Sequence, residues 1–258
     1  MRTMQSTMDK DKIMEIVVNP ELIEGVYNYC DRWCERCPMT AHCAVFVMEK
    51  AESNKCLSHD LENEAFWQQI QNILKTALEL LRDVAQEAGV DLDALILTED
   101  ETSRDRLNKE AEEHTLVRQA MQYMKKVRQW FESEELKTRL ELPDAVSKPE
   151  VTDLRDIEQV ILWYHALICV KITRAIKQDL RAWPSFLEDM PRDSDGSAKV
   201  ALISIDRSIA SWWHMRRHFP QQKKQILEFL VCLDSLRKAT EEAFPKARSF
   251  VRPGFDKQ

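Results

Sequence analysis

Cys30, Cys34, Cys37 and Cys43 have the types and spacing best suited to chemistry in this chain, in the order C-x3-C-x2-C-x5-C. On a helix, turning about 100° per residue, the first three fall within about 60° of one another on one face. Pro38 then ends the turn, and a short return brings Cys43 or His42 to the same point. Four thiolates converging in this way suit tetrahedral zinc. They also suit an iron–sulfur cluster. Cys34-x2-Cys37 and the charged, glycine-poor surroundings favour zinc, whereas Cys37-Pro38 and the flanking Tyr29 and Trp33 favour a shielded cluster. The plainer alternative is four free thiols used as small hydrophobes. Asp31, Arg32, Glu35 and Arg36 argue against it by surrounding these cysteines with charge. A metal at this place has a structural use even without catalysis, because it pins the N-terminal segment.

The spacing of the first three cysteines resembles that of radical S-adenosylmethionine enzymes. The resemblance covers three residues, and the glycine-bearing β/α chain of those enzymes is absent from this sequence.

A second constellation combines acids with histidines. Glu113 and His114 lie beside an apolar helix face, and Glu158 and His165 share one side of the central helix. Facing helices that project such groups inward build dinuclear iron or manganese sites in bundles. The usual Glu-x-x-His spacing is missing here, since Glu113 and His114 are adjacent and Glu158 is followed by Ile161 at the decisive position. As a catalytic pair, His165 serves as the acid–base group. Glu158 or Glu113 then orients it, and Arg128 or Asp179 binds a charged ligand. The structural alternative makes the acids helix-start residues favoured by the dipole and makes His165 a core histidine satisfied by an acid or a carbonyl. Asp193-Ser194-Asp195-Gly196-Ser197 lacks the full calcium-loop pattern and reads as a turn and helix start. No Gly-x-Gly-x-x-Gly, phosphate loop or Gly-x-Ser-x-Gly elbow is present.

The elements that must position these residues read as helices. The pivotal one is Ile157–Trp183, whose run Val160–Val170 is apolar around nearly the whole circumference and so reads as buried on most sides. Ile157, Ile161, His165, Ile168, Ile172 and Ala175 share its core face. Other long helices are expected over His59–Ala88, with a stripe of Phe66, Ile70, Ile73, Leu74, Ala77, Leu81 and Val84, and over Asp105–Leu140, with Val117, Ala120, Met121, Met124 and Phe131 inward. Ala198–His218 buries Ala201, Leu202, Ile205, Ile209 and Trp212, and the last helix, from Pro220 to Ala243, buries Ile226, Phe229, Leu230, Leu233 and Leu236. A short element followed by a helix from near Pro20 leads into the cysteines. Phe244–Gln258 reads as an extended tail over the bundle.

These elements predict an all-α protein, an up-down bundle of four to five long helices with a small N-terminal cysteine-rich appendage. Residues 1–57 form the cysteine-rich segment and 58–258 the bundle. With only 4 glycines in 258 residues, there is little material for hairpins or nucleotide-binding loops. The net charge of -7 argues against nucleic acid as a partner, despite basic runs at Lys125–Arg128 and Arg216–His218. Val160–Val170 is too short to cross a bilayer, and the charged N-terminus lacks a signal-peptide core. A cytoplasmic location follows, in which the 7 cysteines serve as thiols or ligands. The expectation is a helical metalloprotein with structural zinc at the cysteines, acting as a binding or regulatory module toward a protein or small-molecule partner, as a monomer or an oligomer. The alternative is a redox or oxygen-handling enzyme, with an iron–sulfur cluster at the cysteines or dinuclear iron or manganese in the interior.

Overall fold

The structure is a computed structural model that describes residues 10–53, 64–87, 89, 101–133, 149–181 and 191–257. Among these residues all regular structure is helical. The long helices are α1 (Lys10–Val17), α2 (Ala44–Ser53), α3 (Glu64–Glu87), α4 (Glu101–Glu113), α5 (Thr115–Phe131), α6 (Pro149–Asp179), α7 (Asp193–His218) and α8 (Lys223–Ala243). The chain forms two compact units. One is Met1–Ser103 with Pro253–Lys257, and the other is essentially Arg104–Arg252.

In the second unit α5, α6, α7 and α8 pack in a ring, each against two others. The sequence pattern explains why. Leu116, Val117, Ala120, Tyr123, Val127 and Trp130 recur at helical spacing on α5 and are all buried. Ile157, Ile161, Ile168, Ile172 and Ala175 do the same on α6. On α7 and α8 the expected stripes are buried except for Ile209 and Leu230, which are half-buried. An aromatic cluster fills the space between the helices. Trp130 and Trp212 meet edge to face at 5.0 Å between centroids, and Trp212 lies 4.5 Å from Phe229. Trp212 also donates from Nε1 to Tyr123 Oη at 2.9 Å. Burial holds the Tyr123 phenol far above its usual range, so it stays protonated.

Several boundaries differ from expectation. No helix starts near Pro20; turns occupy that stretch instead. The expected helix 105–140 begins at Glu101 and breaks at His114, whose backbone is extended at φ -62°, ψ 132°. Its ring accepts from the Leu116 N–H and thereby caps α5. His114→Ala should therefore cost about 1 kcal/mol, read as a lower thermal midpoint, while His114→Asn should keep the cap and the stability. Asp193–Ser197, read as a turn and helix start, forms the first turn of α7, where Asp193 and Asp195 favour the helix dipole.

The central helix is longer than expected, and its sides are unequal. Leu162, Trp163 and Val170 are exposed at 38%, 36% and 59%, so the burial anticipated on most sides holds for one face. By length and composition Leu154–Asp179 is apolar enough to cross a membrane, a test that the core helix of a soluble protein also passes. The expectation from the shorter run Val160–Val170 does not extend to the whole helix.

The described part of the first unit is poor in core. Among its described residues only Val26 and Ala85 are buried apolar side chains. Leu74, Leu78, Leu81 and Val84 of α3 are each more than half exposed, so the stripe expected to face a core faces solvent. Phe66, Ile70 and Ile73 lie outside the described side chains.

Candidate functional site

The cysteines are positioned by turns rather than by one helix face. Gly25, at φ +73°, reverses the chain before Val26, and Asp31 Oδ1 accepts from Trp33 N–H at 3.2 Å in a local turn. Arg32 sits at φ +58°, an uncommon value for a side-chain-bearing residue. Two single-turn 3-10 helices follow, Cys34–Arg36 and Thr40–His42, and each is ended by a cysteine, Cys37 and Cys43. Pro38 stands between them, where it breaks any continuous helix. The segment is also tied back across the unit: Ile23 N–H donates to the His42 carbonyl at 2.9 Å, and His42 Nδ1 donates to the Glu21 carbonyl at 2.8 Å.

This folding brings Cys30, Cys34, Cys37 and Cys43 around one cavity of about 380 Å³, part of it open to solvent. Val26, Tyr27, Trp33, Met39, Phe46 and Phe255 are among its other walls. The sequence left Cys43 and His42 as rivals for the fourth position. Cys43 lines the cavity, whereas His42 is exposed and engaged with the Glu21 carbonyl. All four cysteines are free thiols. Cys30 Sγ donates to the Tyr27 carbonyl at 3.4 Å, and Cys37 Sγ accepts from Met39 N–H at 3.4 Å.

Burial pushes two of the thiols, Cys34 and Cys37, toward the neutral form. Burial raises Cys34 above its usual value, with Glu49 and the other three cysteines adding to the effect. Burial likewise raises Cys37, partly offset by the Met39 N–H. Among the described residues no three His, Cys, Asp or Glu side chains stand close enough to hold an ion between them. The thiols therefore share a cavity at wider spacing than zinc–sulfur bonds of about 2.3 Å require, and binding would need their side chains to turn inward. By residue type, number and common wall they fit a four-thiolate centre; by present spacing they do not yet form one.

The acid–histidine set is placed differently. Glu113 and His114 are exposed at the α4–α5 joint, where the Glu113 carbonyl accepts from Arg118 Nε and His114 serves as a cap. Glu158 and His165 are half-buried on α6. Burial raises the Glu158 carboxyl, and its charged neighbour is Arg155. His165 donates from Nδ1 to the Leu162 carbonyl at 2.6 Å within its own helix. Its charged neighbour is Arg128 on α5. Asp179 pairs with Arg192 at 3.6 Å. The four residues are thus divided between two places, because the break at His114 turns the first pair outward. His165 is satisfied by a carbonyl, one of the structural roles open to it from sequence.

Burial, reinforced by Arg128 and opposed by the Leu162 carbonyl, holds His165 below its usual 6.5. The unfolded chain then binds the proton more readily than the folded one. The stability this residue confers is full above about pH 6.5 and is lost as pH falls through the folded value. Glu158, raised by burial, has the opposite sign, since its share is present below the unfolded value and is lost as pH rises. His165→Gln should flatten the acid side of the stability curve, measured as thermal midpoints from pH 7.5 down to about 5.5. An unchanged slope would exclude His165 as its source.

The described chain is an all-helical protein with four free thiols around one small cavity. Compared with protein-family models, curated proteins and solved structures, it matches none.

Proposed function

We propose that this chain is a helical metalloprotein in which Cys30, Cys34, Cys37 and Cys43 hold one structural zinc ion. The observation that carries this reading is that all four thiols line the same cavity in a segment whose described residues include almost no buried apolar side chain. A core-poor segment of turns needs a staple, and a structural metal supplies folding free energy directly. Zinc binding would displace four thiol protons and leave a centre of net charge about −2. Arg32 and Arg36 stand beside it to offset that charge, the latter stacked 4.1 Å over the Trp33 ring. Because Cys34 and Cys37 are raised, metal affinity should fall steeply as pH drops.

The long helices α5 to α8 are read as an up-down bundle, with the cysteine-bearing segment as a separate small unit. The exposed apolar stripe of α3 supports a binding or regulatory role, since patches of this kind mark interaction surfaces. Thiols in a ligand role suit a reducing compartment, which supports reading the protein as cytoplasmic.

One observation favours a second occupant. Tyr27, Trp33, Val45, Phe46 and Phe255 give the cavity an apolar, largely aromatic wall. Such a wall shields an iron–sulfur cluster from water and tunes its potential, which would make the protein a redox carrier or enzyme. Elemental analysis of protein purified anaerobically without an affinity metal, beside its visible spectrum, separates the two. Zinc without colour supports the structural reading, iron with sulfide and a visible band replaces it, and no metal in either form sinks both.

A further inference from the structure

We propose that Pro253-Gly254-Phe255 is a strap that closes the four-thiol cavity and governs both metal retention and access to the thiols. The proposal rests on the metal-site reading for its metal part, and on the cavity alone for its thiol part.

Three contacts place the strap on the cavity wall. Phe255 is itself one of the lining residues, together with all four cysteines. Gly254 adopts φ +75°, a left-handed conformation natural to glycine. A Cβ at Gly254 would lie 3.0 Å from Met39 Cε and 3.1 Å from both Ile23 Cδ1 and Val26 Cγ2. Met39 and Val26 are cavity-lining residues, so the Gly254 backbone lies directly against the outside of that wall. Pro253 follows the same path, since a Cβ at Gly25 would meet its Cγ at 3.7 Å. A side chain at Gly254 would therefore be strained by its backbone conformation and would press Met39, Ile23 and Val26 aside by a few tenths of an ångström.

The chain entering the strap is held. Lys199 Nζ donates to the carbonyls of Arg248 and Phe250. Arg248 pairs with Asp206 and Glu241, each at 2.7 Å. The physical effect at the site is exclusion: a half-buried aromatic ring blocks water, chelators and electrophiles from sulfurs that would otherwise face solvent.

The test compares the full chain with a chain ending at Arg252, and with Gly254→Val, Phe255→Leu and Phe255→Ala. Two rates are read under anaerobic conditions: release of bound zinc to excess chelator, and alkylation of Cys30, Cys34, Cys37 and Cys43 by N-ethylmaleimide in the metal-free protein, located by mass spectrometry. Both should rise about tenfold in the truncated and Gly254→Val chains, a factor equal to roughly 1.4 kcal/mol. Phe255→Leu should fall between the full chain and Phe255→Ala. That graded pair guards against a truncation that simply unravels the turns, and alkylation of Cys169 serves as the control for the bundle. Unchanged rates across all variants would overturn the strap even if zinc is bound. Should the full chain bind no zinc, the metal reading fails alone. Faster alkylation in the variants then still supports the strap, and unchanged alkylation overturns it.

Discussion

Replacing Cys34 and Cys37 together by serine is expected, on the zinc proposal, to abolish metal binding and unfold residues 18–43 while leaving the bundle intact. Serine is close to cysteine in size, so the packing change is small; what disappears is half of the thiolate set. Structural zinc in small peptides supplies roughly 10–16 kcal/mol at neutral pH, far more than Val26 alone can contribute by burial, at about 1.5–3 kcal/mol. The segment would then have lost its main source of order. The readouts are metal per chain and the rate of limited proteolysis within the cysteine turns. Cys169→Ser and Cys232→Ser, on α6 and α8, should leave metal content unchanged. A double serine variant that retains full metal would place the ion elsewhere.

Trp212→Ala is expected to give the largest loss of stability in the bundle. Trp212 is fully buried, contacts Trp130, Phe131 and Phe229, and supplies the hydrogen bond to Tyr123 Oη. Truncating such a residue costs about 3–5 kcal/mol. For a unit of this size that corresponds to a drop of about 10 °C in thermal midpoint. Trp212→Phe should cost less, because it keeps the ring contacts and forfeits only the donor and some volume. The neighbouring Trp213 provides the contrast: it is half-exposed, and its ring contact is the Arg216 guanidinium 4.0 Å away. Trp213→Ala should change the midpoint little, and equal effects at the two positions would refute this account of the core.

The inward place of Trp212 was legible from helical spacing alone, as were Ile226, Phe229, Leu233 and Leu236 on α8, whereas on α7 the buried serines, Val200 and Met215 were passed over beside Ala201, Leu202 and Ile205. Period decides which side of a helix is apolar, and in a bundle that side meets its neighbours. Period says nothing about whether a neighbour exists, which is why the α3 stripe was read as buried when its leucines face solvent. The break at His114 was hidden because the flanking residues keep helical propensity, and the capping role of a histidine ring has only a weak sequence signal. Tyr123, Val127 and Trp130 complete the α5 face but were passed over in favour of Met121, Met124 and Phe131, which sit at its edge. For the cysteines, spacing correctly grouped four residues, yet through the wrong geometry. Positive φ at Arg32 and two 3-10 turns, not a helix face, bring them to one cavity. Phe255 carried no signal at all, because a lone aromatic in a proline-bearing tail gives no hint of the wall it joins.

That wall has a consequence for how the protein is made. Cys30 through Cys43 and Phe255 come from distant parts of the sequence but line one cavity. At roughly 5–20 residues per second, a ribosome delivers the thiols many seconds before the ring that shares their cavity. During that interval the nascent cysteines are open to whatever metal or oxidant surrounds them. On the zinc and strap proposals, synthesis would thus set an order, with loading first and sealing afterwards. A protein stalled or cleaved before residue 253 would carry its thiols unsealed.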